Sequence, residues 1–517
     1  VDDSKNNPWD VIVIGGALAG AATVCLLLRR NPKLRILILE RSERLKRRVG
    51  ESTVEISAYF LGRVLGLTEH LLEHHIPKQG MRFWFANDRA RALDQCSETG
   101  PRYNVRLPGY QVDRAVLDEH VLANAVHEGA TLQRQIRVKK ITLVSGGAQT
   151  VEWENANGIS TTSTARWIVD ASGVAAMISR QEGWWKSNTA HPTATCWSRW
   201  KGVRSLDDRE LAAKFPSWSS RVKAIRSTAT NHITGYGWWA WFIPLKGGDV
   251  SVGVVYDQRL TELPPGNNLA ERLRAMLCTH PVARELLAEA QWQEGDVHFR
   301  RNLAYSSTTY ATDGAVLVGD AAAFIDPFYS PGMDWVSFST SAAAALIDGS
   351  FRGKPIAPRV ERHNENFRIS YTRWFEALYR DKYYYMGDFE LMTLAFRLDL
   401  GLYYLGIVTQ PFKHGHRILE TPPFAHPASK GPFKLMALYN RRFAAIARDR
   451  HRRGVWGRHN DRRNFGFISY EFNRRLPVRV AGLLLLWVGL ELREGWRTWF
   501  ATAPTTTPLL EPKTASI

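Results

Sequence analysis

The chain has 517 residues, 44% apolar and 23% charged, and its 68 lysines and arginines against 50 acids give a net charge of +18. That balance excludes a disordered, collagen-like or coiled-coil chain and predicts a large globular core in two or three substructures. The basic excess admits a nucleic-acid, membrane or acidic protein partner, but no nucleic-acid motif accompanies it and none is expected to bind.

The first ten residues are mostly polar and hold no signal-peptide core, so a cytoplasmic protein is expected. Val11-Ile12-Val13-Ile14 reads as a buried parallel strand, Ala21 to Arg30 as a helix and Leu34 to Leu39 as a second strand ending at Glu40. Residues 51–76 and 111–129 read as helices, and 142–151 and 163–169 as strands around an Asn157-Gly158 turn. Residues 190–305 alternate like a separate sheet over a substrate, and Ala315 to Val318 is again a buried strand. Beyond about 333 the pattern is largely helical, with a proline-rich loop at 421–429. The boundaries drawn are 1–185 and 306–350 for the two parts of a nucleotide-binding region, 186–305 for the substrate-side sheet and 351–517 for a helical substrate-pocket region. Arginines crowd 441–479 and are expected on a solvated face, with docking of an acidic carrier protein as the other reading. The apolar run 480–490 is too short to span a bilayer; burial is expected, with lying on a membrane as the other reading. Cys25, Cys96, Cys196 and Cys278 form no metal pattern, so no metal site is expected.

Gly15, Ala17 and Gly20 stand where a dinucleotide fold needs small residues: for the tight turn, for close approach to a pyrophosphate, and for helix–strand packing. Gly16 adds freedom where Ala17 adds a methyl group. Glu40 ends the next strand, where a carboxylate accepts hydrogen bonds from a ribose.

Asp170-Ala171-Ser172-Gly173, Gly319-Asp320-Ala321-Ala322 and Arg114 follow in the order seen in the flavin-dependent monooxygenase and halogenase superfamily, which the chain resembles. The resemblance implies an α/β, Rossmann-like FAD-binding fold of the aromatic-hydroxylase and halogenase type, with an inserted substrate-side β-sheet and a largely helical C-terminal region. It implies that Arg114, Asp320, Gly332 and Met333 lie against FAD. Trp239-Ala240-Trp241-Phe242-Ile243-Pro244 resembles the WxWxIP motif of flavin-dependent halogenases, which puts Trp239 and Trp241 near the flavin. Gly50-Glu51-Ser52-Thr53 resembles their GExT stretch, and Lys78 matches their catalytic lysine. Hydrophobic neighbours, Ile76, Met81, Phe83, Trp84 and Phe85, favour its desolvation and a lowered pKa, whereas residue chemistry alone favours an ordinary surface lysine.

Ile325 to Gly332 resembles the halide-binding segment, with Ser330, Pro331 and Gly332 as the candidate site, although Pro331 lacks an N–H. Tryptophan halogenases carry a glutamate where this chain has Tyr329, which points to a phenol-like or pyrrole-like ring. The implied reaction uses reduced FAD from a separate flavin reductase, O₂, and chloride or bromide, and delivers the halogen through Lys78 to a small aromatic substrate, free or carrier-tethered. An aromatic hydroxylase and a geranylgeranyl-reductase-like enzyme are the alternatives.

Overall fold

Four consecutive apolar residues leave no strand face for water, so such a run belongs in a sheet covered on both sides. The computed structural model describes residues 8–107, 109–469 and 474–500 and places Val11–Ile14 in that position. The elements that build the site are strand β1 (Trp9–Ile14), helix α1 (Leu18–Arg30), strand β2 (Ile36–Leu39) and helix α2 (Glu55–Tyr59). Strands β3 (Ile76–Lys78), β4 (Met81–Phe85), β5 (Ser160–Asp170) and β6 (Trp238–Pro244) follow. Helices α3 (Gly332–Phe351), α4 (Phe389–Tyr403) and α5 (Leu476–Arg493) complete the set.

In the first sheet β1 is central, parallel to β2 (Val11 opposite Ile36) and to β5 (Val11 opposite Trp167). Ala315–Leu317 pairs in parallel beyond β5, and Thr131–Gln133 beyond β2. The expected strand 142–151 is a turn between two shorter strands, Arg137–Thr142 and Gln149–Glu154. Gly146 at φ +70° and the Gln149 side chain, bonded to both N and O of Val144, close that turn. The expected helix 51–76 starts only at Glu55, breaks at Gly66 (φ +78°) and resumes over Thr68–His74. The expected helix 111–129 starts at Arg114, where Asp113 caps it by accepting from the Ala115 N–H at 2.9 Å.

The second sheet runs from Gln291–Trp292 through Thr193–Lys201, Val250–Asp257, β6 and Thr230–Gly235 to β4, Ser97–Pro101 and Phe465–Ile468. It therefore gathers strands from three separated parts of the chain. Of the helices after residue 332, α3 packs on α1 and α4 packs on α5.

Two expectations need correction. Along α5 only Val480, Leu490 and Glu491 are buried, because the helix touches the body along one stripe and turns its other apolar residues outward. The arginines of 441–479 are not simply a solvated face. Arg450 is fully buried among Asp388, Glu390 and Glu494, Arg442 binds Glu491 at 2.7 Å, and Arg448 binds Asp381 at 3.2 Å. The acids that hold them lie far away in sequence, so the charge run looks unpaired until the chain is folded.

Candidate functional site

The β1–α1 turn is forced by its glycines. Gly15 has φ +99°, and a Cβ there would lie 2.5 Å from the Ala171 carbonyl oxygen. A Cβ on Gly20 would lie 1.9 Å from the Gly15 oxygen. Helix α1 begins after Ala17 with no side-chain cap and no acid in its first turn, which suits an anionic ligand at its N–H groups. Glu40 is buried and braces the turn: one oxygen accepts from the Gly16 N–H at 2.7 Å and the other from the Ser42 N–H at 2.8 Å. Each oxygen keeps a lone pair for a ribose hydroxyl. Arg114 is locked to Asp118 at 2.8 and 3.0 Å. Asp320 follows Gly319, which has φ +57°. Burial pushes its carboxyl up, against the pull of Arg114, Arg300 and Arg48. A partly exposed carboxyl under the influence of three guanidinium groups, with the uncapped start of α1, fits the dinucleotide expected from the sequence.

The loop before α3 is conformationally costly. Tyr329 (φ +70°) and Ser330 (φ +58°) are both left-handed, a conformation that L-residues hold only when their surroundings impose it. The Ser330 N–H is spent on the Pro327 carbonyl at 2.9 Å, and Pro331 has none. Of the three halide candidates, only Gly332 therefore offers an open N–H; it starts the uncapped helix α3, and Met333 follows it in the first turn. Behind this loop runs a buried chain of hydrogen bonds. Trp239 Nε1 donates to the Tyr383 hydroxyl at 3.0 Å, and that hydroxyl donates to Asp326 at 2.8 Å. His191 Nε2 lies 2.7 Å from the same Asp326 oxygen. Trp241, two residues along β6 on the same face, donates to Ser251 Oγ at 3.2 Å. Both motif tryptophans are thus buried structural donors behind the loop.

Lys78 is 2% exposed, so it is no surface lysine. Strand β3 pairs Lys78 with Gly109 and swings it under the Gly50–Thr53 stretch. There its Nζ donates to Ser52 Oγ at 2.8 Å and to the Thr53 carbonyl at 2.9 Å. Glu51 of the same stretch is buried against Arg199 at 2.8 Å. Among the described residues no carboxylate lies within ion-pairing distance of Lys78. Burial pulls its pKa down to about 8, and attraction from Glu55 and Asp334 opposes the fall. On its other side His232 is held neutral, its pKa pushed down to about 3 by burial and by the Lys78 charge.

The residues flanking Lys78, namely Val54, Glu55 and Met81, wall a cavity of about 640 Å³. The cavity is largely aromatic and aliphatic, with Phe338, Trp374, Tyr379, Phe396 and Tyr403 on its surface. Sequence reading missed the two carboxyl groups on this wall, Glu55 and Asp334. Glu55 accepts from the Tyr404 hydroxyl at 2.6 Å, and burial raises its pKa. Asp334 accepts from the Ser57 N–H at 2.9 Å and the Tyr403 hydroxyl at 3.0 Å; burial carries it up to about 7. Asp334 sits one residue after the flagged Gly332-Met333 pair, so an acid in the first turn of a ligand-facing helix was a usable signal. Glu55 had none beyond its nearness to the GExT stretch.

The opposite wall carries Tyr329 and Asp399. Lys382 is buried and bonded to Asp399 at 2.8 Å and to the Tyr329 hydroxyl at 3.2 Å. Tyr329 and Tyr439 donate to the two Asp399 oxygens at 3.1 and 2.6 Å. The Tyr329 ring stacks on Phe396 at 5.4 Å. Nothing in the sequence joins residues 329, 382, 399 and 439.

The model of the tryptophan halogenase family matches residues 86–379, more than half of the chain. A flavin-dependent halogenase of Dictyostelium discoideum, chlA, is 27% identical over 439 residues, 78% of this chain and 71% of that one. The sulochrin halogenase gedL of Aspergillus terreus is 26% identical over 72% of this chain and 69% of its own. The crystal structure of the halogenase PltM has a TM-score of 0.74 at 18% identity, covering 93% of this chain and 97% of that one, and shares the fold described above.

Proposed function

This chain belongs to the tryptophan halogenase family of FAD-dependent halogenases, and within that family we propose that it halogenates a small phenol-like or pyrrole-like ring with Lys78 as the proton donor. As a member it is a two-component oxidoreductase acting on an aromatic substrate. The observation that supports the finer reading is a buried Lys78 that feels the charges of Glu55 and Asp334, behind a cavity wall that those two carboxyl groups form with Val54 and Met81.

When bound, reduced FAD from a separate reductase would activate O₂, and O₂ would supply the oxidising equivalents for turning chloride or bromide into hypohalous acid. Gly15, Gly16, Ala17, Gly20, Glu40, Arg114, Asp320, Gly332 and Met333 are the residues assigned to holding the cofactor. The N–H groups of Gly332 and Met333 are assigned to the halide. Lys78 donates a hydrogen bond to the hypohalous oxygen, which polarises the O–halogen bond where the ring can receive it. Glu55 and Asp334 accept the proton of a phenol hydroxyl, or a hydrogen bond from a pyrrole N–H. Moving that proton toward a carboxylate pushes electron density into the ring and raises its nucleophilicity. Tryptophan lacks an acidic ring hydroxyl, and Tyr329, whose hydroxyl is turned to Asp399, provides no carboxylate in its place. A solved relative was crystallised with phloroglucinol, a phenol, and FAD, which supports the same substrate class. The cavity volume and the internal pairing of the 441–479 arginines favour a free substrate over a carrier-tethered one.

The test is a mass-spectrometric screen of phenols, pyrroles and tryptophan with photoreduced FAD, air and chloride or bromide. The expected outcome is a higher kcat/KM for a phenol or pyrrole than for tryptophan. Tryptophan as the best substrate in a broad panel would overturn the ring assignment.

A further inference from the structure

Helix α5 presents an apolar face that the body of the protein leaves uncovered. Val480 and Leu490 are buried, and Leu483, Leu484 and Trp487 pack partly against the core. Val480 lies against Gly401 of α4, where an added Cβ would meet it at 2.7 Å. The outward stripe repeats every seven residues: Val478 is 73% exposed, Leu485 72% and Leu492 65%. Seven residues are nearly two helical turns, so these side chains share one azimuth over roughly 21 Å. Leu486 widens the exposed patch on the helix, and Trp496, Trp499 and Phe500 are exposed past its end. Contiguous apolar surface of this kind marks an interaction site.

Its rim is basic. Arg479 and Arg497 are exposed around the stripe, the Arg497 guanidinium lies 5.1 Å from the Trp496 ring, and Arg493, also exposed, is paired to Glu390. The described acids of the segment 474–500 are Glu491 and Glu494. Both are buried and bound inward, to Arg442 and Arg450. A second copy of the chain laid on this face would bring arginine rim against arginine rim with no exposed acid of either helix to answer it. An anionic surface answers both features.

We propose that α5 and the turn after it dock the enzyme peripherally on anionic membrane lipid. The leucine stripe enters the acyl boundary, the arginines reach lipid phosphates by extending along their apolar stems, and Trp496, Trp499 and Phe500 settle at headgroup depth. The helix lies along the surface, held to the protein by its opposite stripe.

The experiment is co-sedimentation of the full-length, FAD-loaded protein with vesicles of phosphatidylcholine alone or with 30% phosphatidylserine. At least tenfold stronger binding to the anionic vesicles is expected, falling as salt is raised. Leu485→Glu with Leu492→Glu should abolish it, with the thermal midpoint and turnover of a soluble phenol unchanged. If that variant fails to fold, Arg479→Glu with Arg497→Glu, which removes only rim charge, must still lower anionic-vesicle binding at least tenfold. Absence of wild-type binding to anionic vesicles overturns the proposal. So does a concentration-dependent dimer that Leu485→Glu disrupts, which would assign the face to a second copy.

Discussion

The cavity has two polar walls, each backed by a buried lysine, and the protein treats the two cations differently. Lys382 is bonded directly to Asp399, with Tyr329 and Tyr439 completing that carboxylate's partners. Lys78 donates to a serine hydroxyl and a backbone carbonyl, and its nearest carboxyl groups act only from a distance. Burial lowers both lysines, but Lys382 is held by a counter-ion at contact. A paired buried cation braces the wall. A buried cation with neutral partners has a proton it can give and recover near neutral pH.

The sharpest way to break this comparison is to remove each charge in turn. Lys78→Ala should lower halogenated product by about 10²–10⁴-fold, the usual worth of a positioned proton donor. It should leave FAD binding and hypohalite release by the reduced enzyme intact. Lys78→Arg should fare little better, since a planar, permanently charged guanidinium cannot replace a compact exchangeable donor. Product and released oxidant measured side by side decide it: near-normal product from Lys78→Ala would make Lys78 a second brace.

On the other wall the loss should appear as stability. Asp399→Asn leaves a buried cation without its counter-ion, and such a break costs about 3–5 kcal/mol. Lys382→Met combined with Asp399→Leu should recover much of that loss, as apolar replacement of a buried pair often does. Denaturant midpoints of the two variants and the wild type measure it. Equal stability of Asp399→Asn and wild type would remove the distinction between the walls.

The sequence made one wall far more legible than the other. Short-range patterns fix the β1–α1 turn, because Gly15 and Gly20 are required by contacts within the same supersecondary unit. Lys78 and the Gly50–Thr53 stretch were recognisable as separate motifs, and the pairing of β3 with Gly109–Gln111 joins them. Lys382, Asp399 and Tyr439 come from separate helical segments, and their meeting depends on helix packing that leaves no local signature. The same gap explains α5, whose apolar run looks like core until the packing shows how few of its residues are covered. It also explains Arg450, whose three acids lie 44 to 62 residues away.

A finer test separates the two carboxyl groups beside Lys78. Glu55→Gln preserves the shape of the cavity and the Tyr404 contact while removing a proton acceptor. About a tenfold fall in kcat/KM is expected for phenols whose hydroxyl must be deprotonated, the low end for general-base assistance with Asp334 still present. An O-methylated ring has no proton to give, so its slower turnover should be indifferent to the change. Equal loss on both rings would mean that Glu55 acts only through packing.

The smallest effect, and the most specific, lies in the pH profile. Asp334 accepts a proton only when ionised, so activity should rise as pH passes its pKa of about 7. Lys78 donates only when charged, so activity should fall again above its pKa of about 8. The expected profile of kcat/KM is a narrow bell between these limbs. The two groups are also coupled, because the Asp334 charge helps hold the Lys78 pKa up against burial. Asp334→Asn should therefore erase the acid limb set by Asp334 and draw the alkaline limb toward lower pH, a displacement that loss of packing alone does not produce. The lysines again differ here, since Lys382 takes its raising influence from Asp399 and Asp326. Lys382→Met should lower stability while leaving the alkaline limb in place. An alkaline limb that shifts in Lys382→Met and stays fixed in Asp334→Asn would exchange the roles of the two lysines.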